Sequence, residues 1–178
     1  MTAKKLETGT FTDERDGKEY RTVEMPDGKV WMAQNLNYKI KNSWCYPNDE
    51  YIGKKYGRLY TWDAAMKACP TGWRLPSRFD WVNIVTALGG WMNFPVKKLM
   101  AEFGWKDGGT DDFGFSALPG GCRLENEIPF GFGIGCTWWL CTMSLGEGCA
   151  DTFFMNDSYC NINVYSSVEQ GNSVRCIQ

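Results

Sequence analysis

The sequence predicts an α+β domain with a small antiparallel sheet, and three observations carry that prediction. Hairpin signals open the chain, helical spacing fills its middle, and short apolar runs between glycine-rich turns fill its last third. At 178 residues the chain has the size of one domain. Its 43% hydrophobic and 22% charged residues are those of a folded globular protein, not a disordered one.

Residues 1–9 read as a tail and 10–178 as a single domain. Within 9–31, Asp16-Gly17 and Asp27-Gly28 are two-residue turn signals flanked by Tyr20-Arg21-Thr22-Val23 and Val30-Trp31, which predicts hairpins. Leu59, Trp62, Met66 and Cys69 recur at helical spacing, and Pro70 stops that helix. A second helix starts at Ser77, where Asp80 completes a capping-box pattern. Its stripe is Trp81, Ile84, Val85 and Leu88, and Gly89-Gly90 ends it. Residues 96–103 allow a short third helix. Short strands are expected at 113–118, 138–142, 152–155, 162–165 and 173–177.

Charge and composition exclude several classes of function. No apolar run approaches the ~20 residues of a membrane span, so no membrane insertion is expected. The first residues show no apolar leader region. A net charge of −2 leaves no basic footprint for nucleic acid. The chain has no His, which removes the commonest general base, the Ser-His and Cys-His pairs and the His metal ligands together.

The averages hide a division at residue 110. Residues 1–110 hold 12 Lys and 5 Arg against 13 acids, a net of +4. Residues 111–178 hold no Lys, 2 Arg and 8 acids, a net of −6, with 6 of the 8 Cys. No Pro- or Ser-rich linker separates the two parts. Among the cysteines there is no C-x-x-C pair, which argues against zinc, and Cys45 has no clear partner. Asp111-Asp112 either accepts backbone N–H bonds in a loop or binds a hard cation with nearby carbonyls. Trp138-Trp139 on a strand sends one ring to each face, one to the core and one outward.

Four strings then coincide in order: Val30-Trp31-Met32-Ala33-Gln34-Asn35-Leu36-Asn37-Tyr38; Tyr56-Gly57-Arg58-Leu59-Tyr60-Thr61-Trp62 leading into Ala68-Cys69-Pro70-Thr71-Gly72-Trp73-Arg74-Leu75-Pro76-Ser77; Thr110-Asp111-Asp112-Phe113-Gly114-Phe115-Ser116-Ala117-Leu118-Pro119-Gly120-Gly121; and Ser173-Val174-Arg175-Cys176. Together, from about residue 10 to 176, they closely resemble the Fibrobacter succinogenes major paralogous domain, a family of bacterial surface proteins and phage- or plasmid-borne genes. A weaker likeness, through residues 73–77, Trp81 and 118–121, runs to formylglycine-generating enzymes. The resemblance implies a C-type-lectin-like fold of the formylglycine-generating-enzyme type, in which the first helix and the last strand are often bridged; here that pair is Cys69 and Cys176.

The chain departs from its family's usual letters at Cys122, where Tyr is usual, at Leu140-Cys141, where Ser-Ser is usual, and at Asn172, where Phe is frequent. Such a pattern resembles the variable proteins of diversity-generating retroelements, in which template adenines are replaced during copying. One adenine change converts a Tyr or Ser codon to Cys, and the absence of Lys after Lys106 agrees with it. Glu125, Glu127, Met143, Glu147 and Gln170 do not follow from Asn codons and need another origin.

The resemblance implies a non-enzymatic ligand-binding protein, without cofactor or metal, whose contact face lies in residues 122–165 on loops and strand faces held by a rigid fold. The candidate contact residues are Cys122, Leu124, Glu125, Ile134, Cys136, Thr137, Leu140, Cys141, Met143, Leu145, Glu147, Phe153, Asn156, Asp157, Tyr159, Cys160, Asn161 and Tyr165. Phe130, Trp139 and Phe154 are assigned to the core. The implied partner is a protein or glycan on another cell, met outside the cell by a bacterial surface or a phage tail. One alternative is a structural or adhesive paralogue in which these residues have drifted. A second is a copper oxidase of the formylglycine-generating type using Cys136 and Cys141, since two soft thiolates suit Cu(I). Their odd spacing puts them on opposite faces of a strand unless a bulge intervenes.

Overall fold

A computed structural model describes residues 6–46, 48–144 and 147–178; the side chains at 93, 163 and 164 lie outside that description. The predicted hairpins open it. β1 (Thr8–Asp13) and β2 (Lys18–Glu24) pair from Thr8↔Val23 to Asp13↔Lys18, and β2 continues to β3 (Val30–Met32). Gly17 turns the first hairpin at φ +71°, donating to the Asp13 carbonyl at 2.8 Å.

After β4 (Ser43–Trp44) come α1 (Glu50–Tyr56), β5 (Leu59–Tyr60) and α2 (Trp62–Ala68). The helix expected from Leu59 thus begins three residues later. Thr61 caps it, and the two residues before it extend to pair with β4. α1 carries no apolar stripe that the sequence reading could detect; Asp49 caps its N-terminus. α3 (Arg78–Ala87) has the predicted capping box between Ser77 and Asp80. The third helix shortens to one turn, α4 (Val96–Leu99).

The last third forms β6 (Gly120–Arg123), β7 (Pro129–Phe132), β8 (Gly135–Met143), β9 (Cys149–Asn156), β10 (Cys160–Ser167) and β11 (Asn172–Ser173). Two expectations are corrected. Residues 113–118 are a loop, turned at Gly114 and Ser116, which adopt φ +68° and +53°. The Asp111 carboxylate fixes that loop by accepting from Ser116 N at 2.6 Å and Ser116 Oγ at 2.5 Å, the structural role of the two weighed for it. Residues 174–177 leave the sheet after β11, and Val174 and Cys176 accept instead from Leu36 N and Met32 N.

The main sheet runs β10-β9-β8-β11-β5-β4, with β6 beside β8 and β7 outside β6. Its two faces bury two cores. Trp138, Leu140, Phe153 and Met155 meet Trp81, Ile84 and Val85 of α3 in one core. Trp139 and Ala150 meet Ala64, Ala65 and Ala68 of α2 in the other. Both rings of Trp138-Trp139 are therefore inside, because α2 covers the side on which one was expected to be exposed. Cys69 and Cys176 are bonded with Cα atoms 6.0 Å apart. A bridge closing 107 residues stabilises the fold by about 4–5 kcal/mol, chiefly through the unfolded chain. Among the described residues no helix is long and apolar enough to cross a membrane.

Candidate functional site

Strand alternation divides the candidate residues into two sets. On β8 and β9 the inward set includes Cys136, Leu140 and Phe153, all essentially inaccessible and part of the α3 core. These three are corrected from contact residues to core residues: each sits an even number of positions from Trp138 or Met155, and so shares their face. Cys160, opposite Met155, also turns toward this core and is half-buried.

The outward set forms a row. Thr137 on β8 lies opposite Phe154 on β9, which lies opposite Asn161 on β10. Gly121 pairs with Cys136, so Cys122 follows beside Thr137, and Cys122 pairs with Phe130 on β7. Phe130, Cys122, Thr137, Phe154 and Asn161 thus cross five strands on one face. Tyr159 packs on Phe154 with ring centroids 5.6 Å apart, and Asn156 stands two residues along the same strand face. Gly135 lies under the Phe154 ring, which a Cβ there would meet at 3.0 Å. Phe130 is 62% exposed, and Phe154 is half-buried. The expectation that both are core is corrected: Phe130 stands on β7, the outermost strand beside β6, and Phe154 lies on the face of β9 away from α3, under Tyr159. The polar Glu125-Asn126-Glu127 turn was the one local sign of this hairpin in the sequence.

Of the other candidates, Ile134, Met143, Tyr159 and Tyr165 are at least half-exposed, Tyr165 on the α3 side of the sheet opposite Asp151; Glu125 and Glu147 are exposed, and Leu124, Asn156 and Asp157 are half-buried. Leu145 lies outside the described residues.

The β6–β7 hairpin is tied to the earlier part of the chain. Phe132 stacks on Tyr46 (4.7 Å between centroids, 14° between planes) and packs on Tyr56 at 4.7 Å. The Arg123 guanidinium lies 3.9 Å over the Trp44 ring and 2.9 Å from Glu127. Backbone bonds join Arg123 and Gly171 in both directions, at 2.8 and 2.7 Å.

Three of the thiols here are held neutral by burial. Burial pushes Cys136 up to about 11, Cys160 up to about 12 and Cys122 above the usual thiol range. Cys136 belongs to the α3 core and Cys141 packs against the α2 core, despite the register shift between Trp139 and Met143. Among the described residues, no group of three or more Cys, Asp or Glu is placed to hold a metal ion.

The elements define a mixed α+β domain with few helices and curled sheets, carrying an open, partly aromatic sheet face. The chain belongs to the Fibrobacter succinogenes major domain family, whose model matches residues 23–178. Neither a curated protein nor a solved structure matches it.

Proposed function

We propose that this protein is a non-enzymatic ligand-binding protein with a C-type-lectin-like scaffold, and that it is the variable protein of a diversity-generating retroelement. One observation carries the reading. The row Phe130, Cys122, Thr137, Phe154 and Asn161 lies on the sheet face away from α3, Phe130 exposed and the others half-buried, while alternate residues of β8, β9 and β10 make the α3 core. Side chains on such a face change without loss of the fold, and aromatic groups in it act as anchors for a partner. Exposed rings such as Phe130 and Tyr159, set at the two ends of the row, mark interaction sites. The partner is a protein or glycan surface met outside the cell, at a bacterial surface or a phage tail.

The test is a library varied at Cys122, Phe130, Thr137, Asn156, Tyr159 and Asn161, scored separately for folding and for binding to whole bacterial cells. Many folded variants with divergent binding support the reading. If variants bind alike whenever they fold, the residues have drifted and the protein is a structural paralogue. A near-copy of the last third of the gene, differing at adenines beside a reverse transcriptase gene, tests the genetic part.

A further inference from the structure

We propose that the partner of this face is a cationic protein segment, bearing Arg or Lys beside apolar side chains; the inference rests on the reading of the face as the contact surface. Residues 111–178 contain two cations against eight acids, and both cations are already engaged. Arg175 is fully buried. Arg123 lies over Trp44 and is bonded to Glu127, with its side chain 13% exposed. The turns at the two ends of the row carry carboxylates and no cation: Glu125 and the Arg123-bonded Glu127 between β6 and β7, and Asp157 between β9 and β10. One Asp157 carboxylate oxygen is buried and has no hydrogen-bond donor within the protein.

Two exposed rings stand beside these carboxylates: Phe130 on β7, three residues after Glu127, and Tyr159, two residues after Asp157 and packed on Phe154. A ring face attracts a guanidinium or ammonium group, and a neighbouring carboxylate binds the same cation through charge-assisted hydrogen bonds. An anionic glycan, a phosphate group or an acidic lipid surface would meet like charge at both the Phe130 end and the Tyr159 end of the row. A partner protein with a basic, partly apolar segment satisfies both the rings and the rim.

The experiment pans a display library of random short peptides against the full chain. The recovered peptides are expected to be rich in Arg and Lys with aromatic residues. Their affinity is expected to fall about tenfold or more as salt rises from roughly 0.05 to 0.3 M. Two folded variants, checked by thermal melts, separate the possible failures. Phe130→Ala/Tyr159→Ala and Glu125→Lys/Asp157→Lys are each expected to lose binding at least tenfold. If the ring variant binds as well as the parent, the face is not the contact surface and the proposed function fails with it. If the ring variant loses binding while the charge-reversed variant keeps it, or if the peptides are neutral or acidic, only the cationic partner is overturned. Recovery of no peptide overturns it too, as does a salt-sensitive dimer whose formation the peptides block, since a second copy would then be the occupant.

Discussion

The guanidinium of Arg175 donates to the Oδ1 of Asn35 at 2.9 Å, across 140 residues of sequence. The same oxygen accepts from Trp138 Nε1 at 2.8 Å, and Arg175 also donates to the carbonyls of Phe115 and Ser116. Four stretches of chain distant in sequence, around residues 35, 115, 138 and 175, thus meet at one buried cation, which stacks 4.3 Å over the Phe115 ring. Burial lowers the Arg175 pKa to about 9, so it remains charged at neutral pH. Asn35→Ala removes its main side-chain acceptor and is expected to cost about 3–5 kcal/mol, measured by urea unfolding. Replacing both groups with apolar side chains, Asn35→Leu/Arg175→Met, is expected to recover most of that loss; a double variant no better than Asn35→Ala refutes the account.

Trp81 and Phe153 stack face to face, 3.8 Å between centroids and 4° between planes. Phe153→Ala opens the α3 core and is expected to cost about 3–5 kcal/mol. On the opposite face, Thr137→Ala and Tyr159→Ala are expected to change stability by about 0.5 kcal/mol or less. Equal losses on the two faces, measured by calorimetry, would sink the division into inner and outer sets.

Burial alone would raise the Asp80 carboxyl, but hydrogen bonds from Arg74, Lys29 and Ser77 hold it far below the usual carboxylate range. Because its folded pKa is depressed, its contribution is complete above the unfolded value of about 3.9 and is lost as pH falls toward the folded one. Asp80→Asn is expected to cost about 3–5 kcal/mol at neutral pH. The gap in Tm between parent and variant should stay constant from about pH 6 down to 5 and close progressively below about pH 4. A gap independent of pH would show that the charge contributes nothing.

Asn172, in β11, is 1% exposed, and neither its amide nitrogen nor its amide oxygen has a partner. Burying an unpaired amide is costly, so Asn172→Leu is expected to stabilise the protein by about 1–3 kcal/mol. Chemical denaturation checks this; a loss of stability would mean that the amide is satisfied.

Local signals were legible in the sequence because they act over a few residues. The two Asp-Gly turns and the Ser77–Asp80 box depend on φ preferences and a side-chain reach of three positions, and each stands where its residues put it. β6 and β7 were missed because Gly120, Gly121, Gly131 and Pro129 give a strand no apolar alternation. The candidate contact residues could be confined to one stretch of chain, but not sorted within it. Leu140 and Met143 are both apolar letters on β8, yet one is sealed under α3 and the other is half-exposed.

By itself, the sequence determined the α+β class, the family and the acidic, lysine-free character of the last third. The tertiary structure alone decided which letters face outward. That depends on register across strands and on which helix lies over which face, and both are set by contacts between residues far apart in the chain, such as Trp81 with Phe153 and Phe132 with Tyr46.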